Sequence, residues 1–552
     1  MKKILLTLFI GLLILSCDIE RDPYDQIAVD TLFESEGALQ TATLGNYAML
    51  KTNPGNSDYT FEGWGDRIHR LAEYPGDNVT WSKNSSDHYY KMYDYRAVTT
   101  NYRVESFWDA SYKVIVGCNV VLEAAEEGVS DVLDQLIGEN YYLRALVYFQ
   151  MGNVFGRPFN QGTSNLSVPL KLTSSVDDTP KRSTVGEVYD QVISDLLMAE
   201  MLMNEEKSAA FATKEAAQAL LSRVYLYMED NENAELYADK VINSGRYQLL
   251  STEDFEKMNT INPNVNQEAI FSITLNTDAD LSGEWDHYWT VGSLYASIDG
   301  KGWGEMFASS SYLDLLNQNE NDARKGFIEP QYEDEGNQWV YWVDNDYSYQ
   351  TRLTSESGDV TTFEDNGFTY TVEEETVDGK KRYFFMDGGS KQYVDKGYEM
   401  ETMNESGQPK WYILKASLQD DNVHLWSPMV SRLAEMHLNK AESLAKRGMD
   451  QQAIDQVNII RERAGIPTYS LATIPVGKSV LDIVLEERRL EFAFEGHRKF
   501  DVFRNGETMD RRYPGGHLWG ANPFYEIQAT HNRIVEFLPE RQVNLQGLIQ
   551  NP

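Results

Sequence analysis

Between residues 213 and 244 the apolar positions fall into two stripes. Ala217, Leu220, Leu221, Val224 and Met228 recur at spacings of one, three and four, and so do Ala234, Tyr237, Ala238, Val241 and Ile242. That period places each set on one face of a helix. Thr213 supplies a capping oxygen ahead of the first helix, and Gly245 stops the second. The joint between them is short, so the two helices are expected to fold back as an antiparallel hairpin. Small residues at the facing positions allow close approach.

The arrangement returns further along the chain. Leu221, Ser222, Tyr225, Ala234, Ala238 and Val241 stand in register with Lys440, Ala441, Leu444, Ala453, Val457 and Ile460, at a constant offset of 219. A small residue, an apolar one three later and an alanine nine after that make the tetratricopeptide-like pattern of about 34 residues. Ala145 and Tyr148 begin a third copy, whose second helix at 184–203 is displaced by a Ser/Thr/Asp-rich loop. Helical periodicity also marks 31–50, 105–128, 131–155, 428–464 and 479–500; the run 131–155 ends at Gly156 and Pro158. The fold class expected is mainly α, a helical-repeat scaffold over 31–250 and 428–500.

Two stretches interrupt that period. Residues 54–102 are rich in Gly, Asn, Asp, Ser and Tyr and read as loop, as does the segment 276–310. Residues 337–412 read as a β insertion. Val360 to Phe363, a turn at Asp365-Asn366-Gly367 and Phe368 to Val372 make one hairpin, and Asp378-Gly379 before Arg382 to Phe385 marks a second. The tail 505–552 is loop-rich.

At the N-terminus, Lys2 and Lys3 precede the apolar run Ile4 to Leu15, followed by Ser16-Cys17. The run is shorter than the about 20 residues of a bilayer span, which predicts a cleaved signal over 1–16 rather than an anchor helix. A cysteine at the cut point resembles a bacterial lipoprotein signal, in which Cys17 is acylated. Residues 17–30, with Asp18, Glu20, Asp22 and Asp25, then form an acidic tether, and 31–552 one domain. Net charge is −37; the signal removes two lysines and no acid, which gives −39. Such a surface argues against nucleic acid or an anionic membrane face as partner. With Cys17 lipidated, Cys118 is the one remaining thiol, so neither a disulfide framework nor a thiolate metal site is available. Cys118 lies in the apolar stretch Val114 to Leu122 and is expected to be buried.

Catalytic motifs give little. Ala472 to Ser479 resembles a loosened phosphate-binding loop, but its first position is alanine, Pro475 removes a donor and no strand precedes it. Ser479 reads better as a helix N-cap. There is no His-Glu-x-x-His and no Gly-x-Ser-x-Gly. Glu487, Glu491 and Glu495 share a stripe, but the arginines 488, 489 and 498 point to ion pairing rather than a metal. No metal, cofactor or catalytic set is expected. A glycoside hydrolase, needing two carboxylates about 5–10 Å apart, is the enzymatic alternative.

Aromatic clusters in loops carry the binding expectation. The chain has 33 Tyr and 11 Trp. Sugar rings stack their C–H faces on such rings, while their hydroxyls make bidentate contacts with Asp, Asn and Arg. One cluster offers Asp77, Asn78, Trp81, Tyr89, Tyr90 and Tyr93; the other offers Trp285, Asp286, Tyr288, Trp289 and Trp303. Each of these rings has core packing as its competing role.

Several stretches resemble the SusD/RagB family of outer-membrane lipoproteins: LRALVYFQMGNVFGRPF (143–159), AQALLSRVYLYM (217–228) with AELYADKVINSGRYQL (234–249), RLAEMHLNKAESLAKRG (432–448), VNIIRERAG (457–465), LEERRLEFAFEGHRKFDVFRNG (485–506) and the ending FLPERQVNLQGLIQNP. The run Glu-Arg-Arg-x-Glu-Phe-x-x-Glu-Gly-x-Arg, Glu487 to Arg498, is the most specific. Glu540-Arg541 departs from the family's usual ending. The resemblance implies about four tetratricopeptide-like helix pairs, with loops carrying a glycan-binding surface. It implies no catalysis. It implies an oligosaccharide or polysaccharide ligand and a SusC-type TonB-dependent barrel as partner, with the chain as its lid, lipid-anchored in the outer membrane and facing the cell exterior. Some relatives bind peptides, so a peptide-binding lid is the second reading.

Overall fold

The computed structural model describes residues 36–51, 63–276, 280, 286–377, 380–403, 407–520 and 522–552, with 286, 287 and 380 described as backbone. The expected signal, Cys17 and the tether lie outside the described residues, as does Trp285.

Four helix pairs form the scaffold. Helix α1 (Glu36–Lys51) packs on α3 (Tyr102–Ala124), and α4 (Asp131–Phe155) on α5 (Val185–Leu202). Helix α6 (Lys214–Tyr227) then packs on α7 (Asn231–Ile242), and α8 (Leu433–Lys446) on α9 (Asp450–Arg463). Helix α10 (Val480–Glu491) closes the stack across α8 and α9. The local causes are those the sequence carries. Thr213 caps α6 by accepting from Ala216 N at 3.3 Å. Ser130 caps α4, with Asp131 and Asp134 in its first turn where the helix dipole favours negative charge. Thr184 with Glu187, and Ser479 with Asp482, close reciprocal capping boxes on α5 and α10. Between the third and fourth pairs the small residues permit polar clamps. Ser222 Oγ donates to the Ala234 carbonyl at 2.9 Å and accepts from Asn439 at 3.2 Å. Arg223 forks onto Glu435 at 2.5 and 2.6 Å. Of the repeat positions, Tyr225 and Lys440 are partly exposed, Lys440 reaching Asp239 at 2.6 Å. Cys118 is fully buried in α3, and burial pushes its thiol up to about 12.

Two expectations are corrected. The stretch 54–102 is not all loop: it holds α2 (Trp64–Glu73) and a short helix His88–Tyr93. Every residue of α2 except Asp66 is buried, including Arg67, His69, Arg70 and Glu73. Its apolar residues Trp64, Ile68, Leu71 and Ala72 do stand at helical spacing, but the helix is only 10 residues long and sits in a Gly/Asn/Asp/Ser/Tyr-rich stretch that reads as loop. The helix expected over 479–500 breaks after α10. Phe494 and Gly496 take left-handed angles (φ 65° and 81°), and Glu73 accepts from both of their N–H groups, at 3.1 and 2.8 Å. Helix α11 (Arg498–Arg504) follows.

That turn sits in a buried ionic network. Glu491 accepts from Arg432 at 2.5 Å and from Arg463, and Glu495 from Arg432 and Lys415 at 2.8 and 2.6 Å. Glu487 is held by Arg324 and Arg461 at 2.6 and 2.9 Å. Burial alone would raise the Glu495 carboxyl; Arg432 and Lys415 outweigh it and hold the group at about 2. The expectation of ion pairing is met, but with partners far along the chain. Arg488 pairs with Glu442 and Asp501 instead. Among the described residues no group of three or more potential ligands could hold a metal, and no helix is long and apolar enough to cross a membrane.

The β insertion closes on itself. Strands β1 (Tyr332–Val343), β2 (Tyr349–Ser357), β3 (Val360–Asp365), β4 (Phe368–Val377), β5 (Lys380–Asp387) and β6 (Ser390–Met400) form a six-stranded up-and-down barrel, β6 pairing back on β1. Val340, Trp342, Phe363, Phe385 and Val394 fill its interior. The β3–β4 turn is Asn366-Gly367, both with positive φ, which matches the twist of the strands they join. The barrel enters and leaves at adjacent residues: Glu401 N donates to the Gln331 carbonyl at 2.8 Å. Its β1–β2 turn reaches the C-terminal loops, with the Tyr347 and Tyr525 rings 5.8 Å apart.

Candidate functional site

A three-residue strand pair brings the two aromatic loops together. Val79, Thr80 and Trp81 run antiparallel to Ala308, Phe307 and Met306. Continuing past it, Ser82 N donates to the Glu305 carbonyl at 3.0 Å, and Lys83 Nζ meets the Glu305 carboxylate at 2.6 Å. The segment Lys83–Asp87 therefore emerges beside Trp303.

The first cluster faces inward. Asp77, Asn78, Trp81, Tyr89 and Tyr90 are all buried, Trp81 to 2% exposure. None offers a face to a sugar, which corrects the binding role expected of them. Asp77 accepts from Arg498 at 2.6 and 2.9 Å and lies near Arg489. Burial would raise its carboxyl, but the two guanidiniums hold it well below the carboxylate range. Asn78 joins Arg489 and Glu73. Trp81 packs edge-to-face on Tyr74 and Tyr90, and Tyr89 edge-to-face on Tyr74. These rings are core because the strand carrying Trp81 is covered on both sides. Beneath them burial raises Glu73 to about 7 and lowers His69 to about 3.

In the second cluster Trp303 faces outward. Asp299 and Gly300, both with positive φ, make a tight turn between Ile298 and Lys301. Gly302 (φ 97°) then passes so close to His424 that a Cβ would lie 2.5 Å from Nε2. The result is an indole held off the surface: Trp303 is 53% exposed. Its Nε1–H donates to the Tyr288 carbonyl at 3.0 Å, and the two rings meet edge-to-face at 5.5 Å. Trp289 is half-buried, its carbonyl accepting from Arg70 at 2.6 Å. Asp286 is described as backbone, in the single 3-10 turn with Tyr288 and Trp289.

The surface thus assembled has one fixed aromatic face, an ion pair at its edge, and the exposed polar residues Asn84 and Ser86 alongside. Such a surface can stack on an apolar ring face and exchange hydrogen bonds with neutral hydroxyls. Lys83 and Glu305 were not singled out from the sequence. Each stands two residues after a tryptophan, Trp81 and Trp303, and only the strand register reveals that they meet.

Residues 51–226 match the SusD-like family model described as starch-binding associating with outer membrane, and residues 267–535 match that of the SusD family. The chain is 26% identical over 531 residues to the SusD-like protein P2 of Formosa agariphila, covering 91% of each. It is 24% identical over 545 residues to a SusD-like protein of Bacteroides ovatus, covering 91% of this chain and 82% of that one. A SusD superfamily protein from Bacteroides thetaiotaomicron superposes with a TM-score of 0.71 at 23% identity, over 94% of this chain and all of that one. A SusD-like carbohydrate binding protein from Bacteroides vulgatus gives 0.59 at 20% identity, over 86% and 84%. With consecutive family models over most of its length and the helix-pair scaffold in place, the chain belongs to the SusD/RagB family.

Proposed function

We propose that this protein is a glycan-binding lipoprotein of the outer membrane. In this reading it captures oligosaccharide at the cell exterior and passes it to a SusC-type TonB-dependent transporter, acting as its lid. It binds and does not catalyse. The observation that carries the reading is Trp303, a rigidly held, half-exposed indole beside the Lys83–Glu305 pair. The names of the related proteins, starch-binding and carbohydrate-binding among them, support the same ligand class. The N-terminal cysteine pattern supports lipid attachment at Cys17.

The test is binding of the chain from Asp18 onward to plant, fungal and host polysaccharides, by retardation in polysaccharide gels and then calorimetry. A selective shift without cleavage products is expected, at micromolar affinity or weaker, about −8 kcal/mol or smaller in magnitude. Retardation by no polysaccharide, with calorimetric binding of peptides from protein digests, would favour peptide cargo instead.

A further inference from the structure

Of the eleven tryptophans, Trp285 lies outside the described residues; among the other ten only Trp303 and Trp519 are exposed, to 53% and 43%. Trp519 lies in the C-terminal loops, far from Trp303 in sequence, yet the chain brings it to the same junction. Thr80 Oγ1 donates to the Pro514 carbonyl at 2.8 Å, and Tyr90 OH to the Gly516 carbonyl at 2.7 Å. His517 Nε2 bonds the Arg511 carbonyl at 2.8 Å, which requires the proton on Nε2 and leaves Nδ1 to accept from Tyr93 OH at 2.6 Å. Gly515 and Gly516 lie flush on the loop below: a Cβ would come 2.4 Å from Thr80 Oγ1 at one, and 2.9 Å from the Lys83 carbonyl at the other. The turn carrying Trp519 therefore rests on the backbone of Lys83, whose ammonium reaches Glu305, two residues from Trp303. Six residues later in the same loops Tyr525, 44% exposed, meets Tyr347 of the barrel.

We propose that Trp519 is a second stacking platform. The ligand is then a glycan chain of several units, running from Trp303 across the Lys83–Glu305 pair to Trp519, rather than a mono- or disaccharide. This rests on the carbohydrate reading above. Two weak platforms on one rigid body act as a bivalent site. Once one unit stacks, the next platform meets the chain at a high effective concentration, so affinity climbs when the chain becomes long enough to reach both. Each contact is weak singly, so a chain held this way is released stepwise. The buried rings Trp81, Tyr90 and Tyr93 acquire a role here, as the bed on which the Trp519 turn is laid.

The experiment is calorimetry of wild type, Trp303→Ala, Trp519→Ala and Trp519→Phe. The titrants are size-fractionated oligosaccharides of the polysaccharide that the gel panel selects, from two sugar units to about ten. The expected result is that Trp519→Ala binds the shortest fractions as wild type does and the longest at least tenfold more weakly, Trp519→Phe recovers part of that loss, and Trp303→Ala weakens every fraction. Wild-type affinity of Trp519→Ala at all lengths, with Trp303→Ala still impaired, would overturn the second platform and leave the glycan reading standing. Equal loss at every length would also overturn it, since Trp519 would then belong to one short site. Failure of wild type to bind any fraction overturns both.

Discussion

Trp81 is buried within the short strand pair and Trp303, three residues ahead of its partner strand, is exposed, so the same truncation should have opposite consequences in the two. Trp81→Ala removes a ring packed on Tyr74 and Tyr90. It should lower unfolding free energy by about 3–5 kcal/mol, read as a fall in the urea midpoint. Trp303→Ala should leave that midpoint unchanged and weaken glycan binding by about 1–3 kcal/mol in calorimetry. Glu73 gives a second residue-level prediction. Burial raises its carboxyl from an ordinary 4.5 to about 7, so the folded state holds the proton more tightly than the unfolded chain. Its stabilising contribution is complete below pH 4.5 and is lost as pH rises through 7. Glu73→Gln keeps an acceptor for one of the two N–H groups and cannot titrate. Its stability relative to wild type should therefore be higher at pH 8 than at pH 5, compared by urea unfolding at both.

Among the elements, the helix pairs were legible and the packing between them was not. The stripes at 217–228 and 234–242 become α6 and α7 because each has one apolar side. Helix α2 has such a stripe too, Trp64, Ile68, Leu71 and Ala72, but spans only 10 residues inside a Gly/Asn/Asp/Ser/Tyr-rich stretch, whose composition outweighed it. The hairpin at Asn366-Gly367 was legible from its turn residues, whereas closure of the barrel depends on β1 meeting β6, more than fifty residues apart, and no local pattern encodes it. Likewise the stripe Glu487, Glu491 and Glu495 announced ion pairs, but the partners Arg324, Arg432 and Arg463 come from other elements. Half of the candidate site was misread for a related reason: a ring in a loop-like segment gives no sign of which side a three-residue strand will bury. The network predicts its own fragility. Glu491→Gln leaves buried guanidiniums short of charge and should cost about 3–5 kcal/mol, with the loss visible in thermal unfolding while the far-UV helical signal below the transition stays that of wild type.

For the molecule as a whole, acid is the expected route to unfolding. His69 is held near 3 in the fold against an ordinary 6.5, so its contribution is complete above 6.5 and fades as pH falls toward 3. Glu495, held at about 2, contributes above 4.5 and loses that contribution below it; Asp77, Glu442 and Glu491 are displaced in the same direction. Glu73 opposes this trend at higher pH. The urea midpoint should thus decline modestly below pH 6.5 and steeply below 4.5, and a midpoint flat down to pH 3 would contradict the buried network. The barrel has a consequence of another kind. Its two ends leave the body at hydrogen-bonded neighbours, Gln331 and Glu401, and ring closure leaves no unpaired strand along its side. Such a unit is a cassette: it can be acquired, exchanged or discarded in a single genetic event without re-threading the helices, and displayed densely on a surface without edge-to-edge polymerisation.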